Sequence, residues 1–425
     1  MISAFNTALD IVLEYWWVVA PVALFFILRD MWLNYARTKE INSSEWTLLE
    51  IKAPKEVEKT PMAMEQILSG LHGVETSPTF TEKWFKGKTA PYFSFEIINK
   101  QEGAHFLIRT KKEFRNLVEA QIYAQHPEAE IFEVEDYIED LPSKIPNKNY
   151  NVWGTELILT KEDAYPIRTY PCFFEDAKKV EERVDPLSSL SEILSYLTPY
   201  ENIWIQILIS PTKDAWKKEG KKLVDKLIGR ENESSKKRGI AMEEAHGWAE
   251  ALREGIGSLF WGPSDKGENS KKELTKKSTH ILSSGEKDVI SSIEKNISKL
   301  GFKTIIRFLY WGRSDVFSGA NKAAVIGVFK QFNTQNLNGF KPNKKITPGG
   351  GHFFKNRREF SSKIKLISNY KNRYFPIEGF SKRGFIFNTE ELATIYHIPG
   401  KPVQSPAISR VEAKKSGPPT GLPIQ

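Results

Sequence analysis

Apolar and polar residues alternate along PYFSFEIINK and GAHFLIRT, and a short turn separates the two stretches. Period two predicts strands, and the short connection predicts a hairpin. On either side the period lengthens. In KTPMAMEQILSGLHG, Pro61 opens and Gly73 closes a helix over about 61–71. KKEFRNLVEAQIYAQHP places Phe114, Leu117, Val118, Gln121 and Ile122 on one helical stripe. With the strand-like WTLLEI before and AEIFEVEDY after, residues 46–137 read β-α-β-β-α-β. That is the order of a ferredoxin-like split βαβ unit.

A similar order returns downstream. TELILTK and YPIRTY read as strands, DPLSSLSEILSYL as a helix with Asp185 near its cap, and NIWIQILISP as a strongly apolar strand. EKDVISSIEKNISKLG, FKTIIRFLYWG and GANKAAVIGVFKQFN then predict helix, strand and helix, a second α+β unit resembling the first in element order. An insertion at about 212–279 interrupts it with a basic helix, charged loops and a further helix. In that further helix Trp248, Leu252, Ile256, Leu259 and Phe260 share a face, suited to packing on its own domain or to docking a partner or the bilayer surface. Near the end, FNTEELATIYHIPG predicts a short helix capped by Asn388 and Glu391, with Leu392, Ile395 and Tyr396 on its buried stripe. Six prolines between Pro399 and Pro423 make the tail a stiff, extended connector.

The amino terminus reads differently. IVLEYWWVVAPVALFFIL, Ile11 to Leu28, is apolar except for Glu14 and long enough as a helix to cross a bilayer. Trp16, Trp17 and Trp32 stand where interfacial aromatics belong, and Arg29, Arg37 and Lys39 follow the span. The positive-inside rule then places the amino terminus outside and the body in the cytoplasm, anchored in the cytoplasmic membrane. The expected fold class is α+β: a single N-terminal transmembrane helix, two ferredoxin-like-type α+β domains and a Pro-rich C-terminal tail. The expected segments are an anchor at 1–40, a first domain at 41–145 and a second at 146–340. A basic, aromatic-rich segment at 341–398 and the tail at 399–425 complete the chain.

Composition narrows the chemistry. Of 425 residues, 40% are hydrophobic and 27% charged, so the chain can build real cores. Cys172 is the single cysteine, which excludes an internal disulfide framework, and the seven histidines are scattered. No metal site is expected. The spacing from Gly262 to Gly267 is followed by Glu268 and Asn269 where a phosphate-cradling loop needs Lys and Ser/Thr. Gly349, Gly350 and Gly351 lack the lysine too, and neither G-x-S-x-G nor H-E-x-x-H occurs. No catalytic residue or cofactor is expected, and the chain reads as a non-enzyme.

Charge says more. Between Lys341 and Arg383 stand twelve Lys/Arg against Glu359 and Glu378, whereas the whole chain carries +8. Phe353, Phe354, Phe360, Tyr370, Tyr374, Phe375 and Phe380 are interleaved. Cations that neutralise phosphates beside rings that stack are what a nucleic-acid groove uses. The phosphate-contacting candidates are Lys344, Lys345, Lys355, Arg357, Arg358, Lys371 and Arg373. The same residues suit anionic lipid or an acidic protein surface.

Several stretches together resemble one family: EIKAPKEVEKTPMAMEQILSGLHG, DPLSSLSEILSYLTPYENIWIQILISP, KQFNTQNLNGFKPN, and the opening stretch joined to SRVEAKKSGPPTGLP. They are similar to the amino-terminal region of membrane-linked ATPases of conjugative type IV secretion, in the version common in candidate-phyla bacteria. The resemblance runs from about Trp46 to Pro423 and carries no catalytic residue. In that family the terminal helix and tail lead into a RecA-like motor. The resemblance therefore implies a membrane-anchored, non-enzymatic platform that docks a separate P-loop ATPase in trans, in a homo-oligomeric ring. Glu390, Glu391, Leu392, Ile395 and Tyr396 would be the docking residues. The alternative is a membrane-tethered nucleic-acid-binding protein using the basic segment 341–383.

Overall fold

A computed structural model describes residues 2–54, 59–100, 103–174, 184–229, 282–349, 355–376, 380, 383–399 and 410–411. Ten strands among them join in one sheet. The first unit supplies β1 (Trp46–Pro54), β2 (Phe93–Lys100), β3 (Gly103–Lys111) and β4 (Glu130–Glu133). The second supplies β5 (Tyr150–Leu159), β6 (Glu201–Pro211), β7 (Gly301–Arg313) and β8 (Phe340–Pro342). β4 pairs with β1, and the sheet then runs β1-β3-β2-β6-β7-β5-β8, antiparallel throughout. Each unit thus lays its strands in the order fourth, first, third, second, the split βαβ arrangement. The two second strands, β2 and β6, pair with each other, so the whole sheet is a topological palindrome. Two separate domains were expected; one continuous sheet is found.

Register explains how the sheet is covered. Leu49, Ile108, Phe95, Ile207, Ile306 and Leu157 form one unbroken cross-strand row, each at most 2% exposed. The next row, one residue along, is Glu50, Leu107, Glu96, Gln206, Arg307 and Glu156. Because side chains alternate, the apolar row lies on one face and the charged row on the other. Helices α2 (Met62–Leu71), α4 (Arg115–Gln125), α6 (Ser188–Ser195) and α9 (Gly319–Lys330) contribute to the core on the apolar face. Between β6 and β7, α7 (Ala215–Leu227) and α8 (Ser284–Ile297) pack on each other through Trp216, Val224, Ile293 and Ile297. The remaining short helices of the two units are α3 (Phe80–Phe85) and α5 (Pro171–Phe174). The insertion residues Trp248, Leu252, Ile256, Leu259 and Phe260, and the tail beyond 411, lie outside the described residues.

The carboxy-terminal part clamps both faces. Helix α10 (Lys355–Lys371) lies on the charged face, with Leu366, Ile367 and Tyr370 in a core shared with Tyr137, Trp204 and Leu309. Gly154 permits this approach: a Cβ there would stand 2.2 Å from the Phe308 carbonyl and 3.0 Å from Leu366. The chain then crosses to the apolar face through β9 (Phe385–Asn388), antiparallel to β7, and α11 (Thr389–Ile395). β10 (Arg410–Val411) adds to β1 in parallel. YPIRTY, expected as a strand, is irregular because its amides bond to α11: Ile167 N–H donates to Glu391 and Tyr170 N–H to the Thr394 hydroxyl.

The membrane anchor is corrected. Helix α1 runs unbroken from Ile2 to Ser43, and among the described residues no helix is long and apolar enough to cross a membrane. Its apolar stretch does not end in a free flank, because the turns after the Arg29–Asp30 pair continue into the body. There Leu33, Ala36 and Arg37 are buried, and Trp32 donates from Nε1 to the Trp84 carbonyl at 2.8 Å. Gly87, at φ +67°, lets the Ala36 carbonyl approach to 2.2 Å of where a Cβ would stand. The side chains of residues 1–16, 18 and 19, Trp16 included, are outside the described set. The single-span topology and the membrane localisation drawn from it therefore do not stand.

Candidate anion-binding cleft

Where α1 meets the charged face of the sheet, a cleft of about 550 Å³ opens. One wall is the last turns of α1, with Asn34, Arg37, Thr38 and Asn42; the opposite wall is the end of α10 and the segment after it, Lys371–Pro376. The floor is sheet: Trp46 at the start of β1, Arg109 on β3, Ser210 on β6 and Lys303 on β7. Register puts them together, since Arg109 pairs with Ser94 and Ser210 with Lys303 on the same face.

Its charge is strongly one-sided. Arg37, Arg109, Lys303, Lys371 and Arg373 line the cleft against a single carboxylate, Asp136. That carboxylate is already engaged by Arg373 at 2.6 and 2.9 Å. Burial opposes the Asp136 charge, but Arg373 prevails and holds its pKa below the ordinary value. Arg109, Lys303 and Lys371 make no ion pair with any described residue. Arg109 instead stacks its guanidinium 4.1 Å over the Trp46 ring. Burial first, and then the Arg373 charge, lower the Arg109 pKa. An anion beside Arg109 would offset both by its charge. Trp46, Tyr92, Phe375 and Phe380 form a ladder of rings with successive centroids 5.1, 5.7 and 5.6 Å apart. Tyr374 at the rim is exposed.

The sequence-predicted cations separate into three groups. Lys371 lines the cleft. Lys344, Lys345, Lys355, Arg357 and Arg358 are exposed but stand outside the cleft lining, at the β8 end of the sheet and the start of α10. Arg373 is corrected as a phosphate contact: it is 1% exposed, with φ 45°, and all three of its guanidinium nitrogens are committed to carboxylates. It grips Glu96 at 2.7 and 3.0 Å as well as Asp136. Of the interleaved aromatics, Tyr370 is core, not a stacking platform. Arg37, Arg109 and Lys303 escaped the sequence reading because they lie far apart along the chain, singly placed on elements read as an anchor and two strands.

The docking residues are corrected as well. Glu390, Glu391, Leu392, Ile395 and Tyr396 are all buried. Leu392, Ile395 and Tyr396 belong to the main core, Tyr396 stacking edge-on to Phe95 at 4.9 Å. Glu390 takes Lys299 at 2.6 Å, and Glu391 closes the capping box with Asn388. The capping chemistry is as expected, but it fixes a core helix and leaves no docking surface.

Burial pushes the Glu391 carboxyl up to about 8, outweighing the N–H bonds from Asn388 and Ile167 that favour its ionised form. A raised acid stabilises the fold below its unfolded pKa, near 4.5, and that contribution is lost as pH rises toward 8. Buried His126, lowered to about 4 from 6.5, works in the opposite sense but is finished above pH 6.5. Between about pH 6.5 and 8 the wild-type unfolding free energy should therefore fall relative to Glu391→Gln, whose side chain cannot ionise. Parallel stability curves across that window would contradict the assignment.

The chain belongs to the family described as a domain of unknown function (DUF8128), whose model matches residues 29–411. Comparison with curated proteins finds no match.

Proposed function

We propose that this DUF8128 chain is a non-catalytic platform whose cleft holds phosphate-bearing nucleotide units, presented singly or along a single-stranded nucleic acid. The observation that carries this reading is Arg109: a half-buried cation, stacked on Trp46, with no carboxylate partner among the described residues, facing a cleft lined by Lys303 and Lys371. Cationic grooves that track the backbone, with rings beside them, are how single strands are held without sequence preference. A volume of about 550 Å³ matches the size class of small-ligand sites, of the order of a nucleotide or two. In the translocation machine that the family resemblance implies, such a cleft would hold the transported strand for a separate motor. That motor would have to meet a surface other than α11.

Fluorescence anisotropy of a labelled single-stranded oligonucleotide against the full chain tests this. Binding should weaken steeply with salt. Lys303→Gln and Arg109→Gln should each weaken it about tenfold, the worth of one charge-assisted contact. Each should also lower the slope of log K against log salt by about 0.7. A free mononucleotide that competes fully would assign the cleft to a small ligand. Salt-insensitive binding, or binding unchanged in both variants, would remove the reading.

A further inference from the structure

The two ends of the sheet are topologically equivalent, since β4 and β8 are the fourth strands of their units, yet they carry opposite charge. From His126 to Ser143 the chain has seven carboxylates and no Lys or Arg. Around β4, Glu128, Glu135 and Glu139 are exposed and make no ion pair with a described residue. Glu133 and Asp140 are exposed too, though tied to Arg115 and Lys100. At the other end, Lys341, Lys344, Lys345, Lys355, Arg357 and Arg358 are exposed, again without an ion pair to a described residue. Each end also shows apolar side chains: Phe132 at 44% exposed on β4, and Phe360 and Ile364 at 51% and 46% on α10.

We infer that copies of this chain dock head to tail, the acidic β4 end of one against the basic β8–α10 end of the next. Charge complementarity selects the occupant. A nucleic acid would match the basic end alone, leaving the acidic end and the aliphatic Ile364 unexplained. A second copy matches both ends at once, with Phe132 to set against Phe360 and Ile364. Because the patches differ, the contact is heterologous, and repeating it closes a ring or extends a filament. The opposed charges would steer the encounter and fix which end meets which. This assembly does not depend on the cleft.

The test is sedimentation velocity of the full chain over a range of concentrations, at low salt and at about 1 M salt, where the Debye length falls to about 3 Å. The average mass should rise with concentration at low salt and return to monomer at high salt. The charge reversals E128K/E135K/E139K and K344E/K345E/R357E, made separately, should each weaken association roughly tenfold or more. Mixing the two variants should restore a complex, since each keeps the end that the other lost. A wild type that stays monomeric at low salt overturns the proposal, as does association that survives both reversals or a mixture that remains monomeric. Loss of oligonucleotide binding in the basic-end variant, with self-association intact, would overturn it in favour of a nucleic-acid surface.

Discussion

Arg373→Ala should cost the fold about 3–5 kcal/mol, read as a lower midpoint in urea unfolding. The argument rests on what stays behind. Arg373 bridges Glu96, which is fully buried on β2, and Asp136, in the loop after β4. Burial by itself would lower its pKa, but these two carboxylates hold the guanidinium protonated and raise it. Without the cation, Glu96 keeps only Ser94 and Gln206 as neutral partners, the latter at 3.2 Å. A lone carboxylate in a closed interior is far costlier than the pair is favourable. Restoring balance should restore stability: adding Glu96→Gln and Asp136→Asn to Arg373→Ala should recover part of the loss. An unfolding midpoint for Arg373→Ala within about 0.5 kcal/mol of wild type would show that the network is not closed as described.

Truncating Leu392 to Ala should cost about 2–5 kcal/mol, and deleting residues 385–398 should leave no cooperatively folded body. Both follow from where α11 sits. Its Tyr396 hydroxyl donates to the Leu107 carbonyl of the first unit, while Glu391 and Thr394 receive the amides of Ile167 and Tyr170 in the second. Lys299 joins Glu390 to Glu65 on α2, at 2.6 Å to each. Removing the helix would open the apolar face at the junction of the two halves. An exposed docking helix predicts the reverse, a truncated chain that still melts cooperatively near the wild-type midpoint.

Much of the order of elements could be read directly, because the hairpin of β2 and β3 alternates cleanly and α2 and α4 of the first unit carry apolar stripes. What could not be read was the pairing between units. NIWIQILISP is apolar on both faces apart from Asn202, Gln206 and Ser210, and that pattern says buried without saying by what. The short strands β8 and β9 have three and four residues, too few to show a period. Helix α10 was missed since its exposed first turns are rich in Lys and Arg, and only Leu366, Ile367 and Tyr370 anchor it. The same basic run gave no sign of the cleft. Density of cations along the chain marked 341–383, whereas the cleft joins Lys371, at the end of α10, to single cations from α1, β3 and β7. For α11 the capping signal was sound. It carries no information about whether the capped helix faces solvent or core, and here every residue of it is buried.

Photocrosslinking of a single-stranded oligonucleotide carrying a halogenated base, followed by mass spectrometry of the crosslinked peptides, tests the central claim most directly. The cleft account predicts adducts at Tyr374, Phe375 or Trp46, the rings that line it, and their loss at high salt and in Lys303→Gln. Adducts confined to Phe360 and the start of α10, persisting in Lys303→Gln, would place the nucleic acid on the basic end of the sheet and contradict it.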